Sequence, residues 1–286
     1  MTQSHDPDAP LRPQHQKELS HAVKLLERPT FAARLADYAG KPVNEIIKLM
    51  PGPINRQFQG IVRIAILQCL ETAVESLEND EPAPPSDWTG KVMTGLTGGV
   101  GGFFGLAALP IELPLTTTLM LRSIAEIARD YGEDLTELDA RLACVEVFAL
   151  GGRSTADVAR IDYYAVRAVL SRLMSDVARQ FAEFGVVNAS SPVITRLVGE
   201  IMGRFGLAVS DRLAASAAPI LGAVGGATVN MVFMDHFQRI ARGHFAIRRL
   251  ERTYGAPQIE ALYHHAAREL NNRTRMPSPP PQAARK

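Results

Sequence analysis

Two cysteines, one tryptophan and a formal net charge of only +1 in 286 residues exclude several kinds of protein at once. Cys69 and Cys144 sit in apolar runs, Ile66-Leu67-Gln68-Cys69-Leu70 and Leu142-Ala143-Cys144-Val145, where a thiol behaves as a small hydrophobe. There is no disulfide framework and no zinc spacing. The near-neutral balance removes the strongly basic surface of a general nucleic-acid binder, so nucleic acid is not an expected partner. The seven histidines, His5, His15, His21, His236, His244, His264 and His265, form neither a His-x-x-x-His nor a His-Glu-x-x-His pair. No metal and no cofactor is therefore expected. A Gly-x-Ser-x-Gly elbow is missing, and Gly98-Gly99-Val100-Gly101-Gly102 lacks the Gly-Lys-Ser/Thr ending of a phosphate loop. Sustained alternation and Asn-Gly or Asp-Gly hairpin signals are also lacking.

What is present is helical periodicity in a chain that is 46% hydrophobic, ample for a core. Residues 1–15 and 273–286 are polar and proline-rich and read as disordered tails, leaving a helical domain over 16–272. The loop Asn79-Asp80-Glu81-Pro82-Ala83-Pro84-Pro85-Ser86-Asp87 makes 79–88 a candidate internal boundary. Ile54, Phe58, Ile61, Val62, Ala65, Ile66, Cys69, Ala73, Val74 and Leu77 recur at three and four residues and predict an amphipathic helix. Further helices are predicted over Thr117 to Tyr131 with a stop at Gly132, Thr136 to Leu150 closed by Gly151-Gly152, and Asp157 to Phe184. Others run from Pro192 to about Ser210, through to Thr253, and near Gln258 to Asn271. The fold class is all-α, a multi-helix bundle.

Two uncharged, glycine-rich segments stand out as central helices of that bundle, Val92 to Ile111 with twenty residues and Leu213 to Met234 with twenty-two. Gly95, Gly98, Gly99, Gly101, Gly102 and Gly105 fall in overlapping rows at four-residue spacing, and Gly222 and Gly226 repeat it. Glycine costs about 1 kcal/mol per helical position relative to alanine in water, so such density suits close helix packing or lipid. Three readings stay open: buried helices of a soluble domain, segments that insert reversibly or dock on a membrane, and permanent spans. A mean hydropathy near zero argues against an ordinary integral membrane protein. The same glycine rows would allow oligomers.

Leu106-Ala107-Ala108-Leu109-Pro110-Ile111-Glu112-Leu113-Pro114, the run Thr116 to Ala128 and Tyr131-Gly132-Glu133-Asp134 together resemble the EcsC family of bacterial proteins. Glu146-Val147-Phe148-Ala149-Leu150-Gly151-Gly152, Tyr163-Tyr164-Ala165-Val166-Arg167 and Pro219 to Asn230 fit the same pattern. This chain has Glu112 where Asp is expected before the Leu-Pro step. The resemblance implies an all-helical protein associated with membranes, named after one encoded beside an ABC transporter involved in secretion. It brings no agreed catalytic residue, cofactor or substrate.

Polar residues inside apolar sequence are the remaining clue, because a buried charge must be paired. Glu112, between Pro110 and Pro114 in what reads as a broken stretch, is the sharpest, with Arg122 as its expected ion-pair partner. Arg141, Glu146, Asn230 and Asp235 also interrupt apolar faces. The ordinary reading is a paired network fixing helix register; the alternative is a site for a lipid head group, ion or substrate. From Asp235 to Lys286 ten Lys or Arg stand against four Asp or Glu. This excess suits an anionic membrane surface or a membrane protein partner. The expectation is therefore an accessory factor in a membrane or secretion process, acting by lipid or protein binding. It would be cytoplasmic, either peripheral or reversibly inserted at the cytoplasmic membrane, since Met1 to Leu19 lacks the features of a secretory signal. The competing expectations are an enzyme with an interhelical site at Glu112, using Cys144 or a histidine, and a soluble protein-interaction scaffold.

Overall fold

A computed structural model describes residues 10–27, 63–64, 66–67, 109–152, 162–184, 191–217 and 226–275. Among these residues there are seven named helices and no strand. They are α1 Pro13–Glu27, α2 Leu109–Asp130, α3 Leu138–Gly151, α4 Tyr163–Phe184, α5 Pro192–Ala217, α6 Gly226–Tyr254 and α7 Ala256–Arg275. The all-α expectation holds. The glycine-rich rows largely lie outside the described residues. Gly95, Gly98, Gly99, Gly101, Gly102, Gly105 and Gly222 are not among them, and Gly226 is the first residue of α6. No described helix is long and apolar enough to cross a membrane. Most of the amphipathic run from Ile54 to Leu77 also lies outside, but Ile66 is helical and fully buried in the common core.

Two helices organise the bundle. α3 is apolar on all sides, and every residue from Ala140 to Gly151 is buried, as expected of a helix packed all round by others. It lies against α2, α4, α5 and α6. α6, with 29 residues about 43 Å long, meets α1, α2, α3, α5 and α7. Phe148 of α3, Phe205 of α5 and Phe233 and Phe237 of α6 join them through ring pairs 5.0 to 6.3 Å apart. Each such pair contributes about 1 kcal/mol beyond its buried area.

Two sequence punctuators act as expected, each for a different reason. Gly132 adopts φ +77°, a left-handed conformation that an L side chain rarely takes, and ends α2. Gly152, by contrast, has φ −89°; its role is closeness. A Cβ there would lie 2.1 Å from the Arg204 carbonyl oxygen of α5, so only glycine lets these two backbones meet.

One expectation is corrected here. The stretch around Glu112 is not broken: α2 starts at Leu109, eight residues before the predicted start, and runs straight through Pro110 and Pro114. Proline is tolerated near a helix start because the first amides have no intrahelical acceptor. Pro110 uses that allowance, and Pro114 leaves only the Pro110 carbonyl without its donor.

Candidate functional site

Where α3, α4 and α6 meet, the apolar core is interrupted by a set of interlocked polar side chains. α3 supplies Glu146, which is 2% exposed, and α6 supplies His244, which is 0% exposed. α4 opens with Tyr163 and Tyr164 and carries Arg167 one turn later, so all three lie on one side of that helix. On α6, His244, Arg248 and Glu251 are spaced four and three residues apart and share a face in the same way.

The cluster has an inner and an outer part. Inside, the Tyr163 hydroxyl is 3.0 Å from His244 Nδ1, and His244 Nε2 is 3.7 Å from Glu146 Oε2. The last distance is too long for a hydrogen bond, and both Glu146 Oε1 and His244 Nε2 lack any hydrogen-bond partner. Outside, Tyr164 donates its hydroxyl to Glu251 Oε1 at 2.8 Å and Arg167 donates to the same oxygen at 2.6 Å. The Arg167 guanidinium lies 5.9 and 5.8 Å from the ring centres of Tyr163 and Tyr164, within cation–π reach. From α7, the Tyr263 ring stacks on Tyr163 at 5.2 Å and donates its hydroxyl to Glu27 of α1 at 2.6 Å.

Burial sets the protonation of the inner pair. It pushes the Glu146 carboxyl up to about 7, against the opposing charges of Arg167 and Arg248. It holds the His244 imidazole well below its ordinary value, and the same two guanidinium groups act in that direction too. Below about pH 7 the stable form is a neutral acid beside a neutral imidazole. Burial likewise raises the Tyr163 phenol, which stays protonated.

A second network fastens the turn between α2 and α3 to α6. Arg248 donates to Glu133 at 2.9 and 3.0 Å and to Asp139 at 2.7 Å. Arg252 also reaches Glu133, and donates to the Tyr131 carbonyl at 2.7 Å. Burial alone would raise the Glu133 carboxyl, but the hydrogen bonds and charges of Arg248 and Arg252 outweigh it and hold the group below its ordinary value.

Of the four sequence-picked polar residues whose side chains are described, Arg122, Arg141, Glu146 and Asp235, Glu146 alone enters the inner cluster. Arg141 is buried at the start of α3, where its Nε donates to the Leu135 carbonyl. Asp235 is half-buried on α6. Asn230 lies in the second turn of α6 and Glu112 in the first turn of α2, and the side chains of both fall outside the described residues. The expected Glu112–Arg122 ion pair lies outside the described side chains. Arg122 faces Glu126 at 3.5 Å, both largely exposed. Cys144 does not offer a nucleophile, because burial pushes its thiol up to about 12 and its Sγ donates to the Ala140 carbonyl at 3.4 Å. Among the described residues no group of three or more His, Cys, Asp or Glu could hold a metal ion.

Part of the basic C-terminal run is paired internally. Arg248, Arg249 and Arg252 pair with Glu133, Asp139 and Glu18. Arg242, Arg268 and Arg273 of the same run are exposed, and a second set of exposed cations lies on α1. Lys17, His21 and Lys24 are all exposed at the i, i+4, i+7 spacing of one helix face. Both carboxylates of α1 are engaged, Glu18 with Arg249 and Glu27 with Tyr263. Beside it, an open depression of about 370 Å³ between α1 and α6 is lined by His15, Glu18 and Arg249.

His244, Tyr163, Arg167 and Glu251 were not among the site residues expected from the sequence. A signal was there: His244-x-x-x-Arg248-x-x-Glu251 and Tyr163-Tyr164-x-x-Arg167 each place polar groups on one face of an otherwise apolar helix.

No curated protein and no solved structure matches the chain. The EcsC protein family matches residues 14–250, a span that includes Glu146, Tyr163, Arg167, His244 and the α1 stripe, and the chain belongs to that family.

Proposed function

We propose that this protein is a membrane-associated helical accessory factor that works by binding, and that α1 meets an anionic lipid surface. The observation that carries the reading is the α1 stripe: Lys17, His21 and Lys24 are exposed on one face, and the helix's two carboxylates are held elsewhere. A lysine close to an anionic surface contributes about 1 kcal/mol, so two on one face give selectivity without deep insertion. The uncharged glycine-rich run ahead of α2 supports the same reading, since its composition suits close packing or lipid.

The test is co-sedimentation of the full chain with phosphatidylglycerol vesicles and with phosphatidylcholine vesicles at low ionic strength. Binding to the anionic vesicles is expected, weakening as salt is added. The double variant Lys17→Glu with Lys24→Glu is expected to lose at least about tenfold in affinity, from two contributions of about 1 kcal/mol each. Equal binding to both vesicle types, or an unchanged affinity of the double variant, overturns the proposal.

A further inference from the structure

Glu146 and His244 come from positions 98 residues apart in the chain, yet their side chains meet inside the core 3.7 Å apart with Glu146 Oε1 and His244 Nε2 unpartnered. Buried polar atoms without partners are rare in folded proteins and destabilising when isolated. Here an acid and a base lie side by side, and the smallest ligand that completes them is a proton. One hydrogen between them forms an acid–base hydrogen bond after a small side-chain rotation, whichever of the two carries it. Tyr163 meanwhile occupies the other imidazole nitrogen.

We propose that Glu146, His244 and Tyr163 form an internal proton-binding site whose single exchangeable proton keeps α3, α4 and α6 packed, and whose loss loosens them. Two arrangements hold that proton: carboxylic acid with neutral imidazole, or carboxylate with imidazolium. The surroundings select the first. α4 presents Arg167 to the site, with Tyr164 beside it, and α6 presents Arg248 and Glu251. From α3 comes Asp139, from the preceding turn Glu133, and from α7 Tyr263 with Glu27 of α1 behind it. The charges acting most strongly on the pair are Arg167, Arg248, Asp139 and Glu251. Burial opposes both charges of the second arrangement, and the two guanidinium groups further oppose its imidazolium. Losing the proton leaves a carboxylate with an unpartnered oxygen in the core, and the helices must part to let water reach it.

The direction with pH follows. Because burial raises Glu146 to about 7, its protonated form stabilises the fold fully below the ordinary carboxylate range. That contribution falls away as pH rises through about 7. His244, held low by burial, acts with the opposite sign: its neutral form stabilises above the ordinary imidazole value and is lost as pH falls toward its depressed one.

The experiment compares the full chain with its Glu146→Gln variant by urea unfolding between about pH 5 and about pH 8. Amide hydrogen exchange is followed across α3 and α6 at the same pH values. The wild-type unfolding constant is expected to rise on the order of a hundredfold more than that of Glu146→Gln across this range. Exchange should quicken in the wild type alone. Parallel pH profiles for the two proteins overturn the proposal. Should Glu146→Gln not fold, infrared spectroscopy of the wild type decides. The carbonyl stretch of a protonated carboxylic acid is expected at about pH 6 and gone by about pH 8. Its absence at the lower pH also overturns the proposal.

Discussion

Arg248→Met tests whether the turn between α2 and α3 is held to α6 by buried charge. Arg248 makes two hydrogen bonds to Glu133 at 2.9 and 3.0 Å and a third to Asp139 at 2.7 Å. The Glu133 side chain is only 4% exposed. Breaking one partner of a buried pair costs about 3–5 kcal/mol, because the other charge stays buried. Arg252 remains beside Glu133 and softens the loss, so the lower end, about 3 kcal/mol, applies. For a chain of this size that corresponds to a fall in Tm of about 6–12 °C. Arg249→Met is the control. Its ion pair with Glu18 lies at the surface, the Arg249 side chain being 44% exposed, and exposed pairs contribute about 1 kcal/mol or less. Urea midpoints at constant m-value measure both. Acid adds a second arm. The Glu133 carboxyl is held low, so its contribution is present above the ordinary carboxylate value and disappears as pH falls through the depressed one. Arg248→Met should therefore lose less stability than the wild type over that acid range. Equal midpoint losses for Arg248→Met and Arg249→Met would refute the reasoning, since burial would then make no difference.

Two further outcomes follow from packing and burial. Gly152→Ala should cost at least about 2 kcal/mol, read as a lowered urea midpoint, because its Cβ would meet the Arg204 carbonyl at 2.1 Å and extra atoms in a packed interior strain both backbones. Cys144 should resist a thiol reagent at about pH 8 in the native protein and react once urea unfolds it, because burial raises its thiol to about 12 and only the thiolate attacks.

The helices were legible because their signal is local. Leu121, Ile124 and Ala128 recur at three and four residues on α2 and are buried in the structure, so period alone placed that helix. Its start was misplaced for an equally local reason: Pro110 and Pro114 read as breakers, although a proline close to a helix start removes little hydrogen bonding. Gly152 was placed correctly as a stop, but its dihedral has nothing to do with why it is glycine. The reason is the carbonyl of Arg204, 52 residues away, which no window of sequence contains.

The candidate site failed to appear in the sequence for a related reason. An apolar neighbourhood marks a residue as buried, which is how Glu146 was found, but it does not say which side chain faces it. The histidines were searched for neighbouring histidines at metal spacing, whereas His244 finds its partners on two other helices, Tyr163 lying 81 residues away. Surface charge is blurred in the same way. Counting Asp235 to Lys286 treats each arginine as free, yet Arg248, Arg249 and Arg252 are joined to carboxylates at positions 18, 133 and 139. A tally of charge along the chain therefore overstates the free basic surface where a helix is central, because some of its cations reach the acids of its neighbours. α6 is such a helix. α1 lies at its flank and turns only one face inward, so its lysines remain available, and a search for an anionic partner begins there.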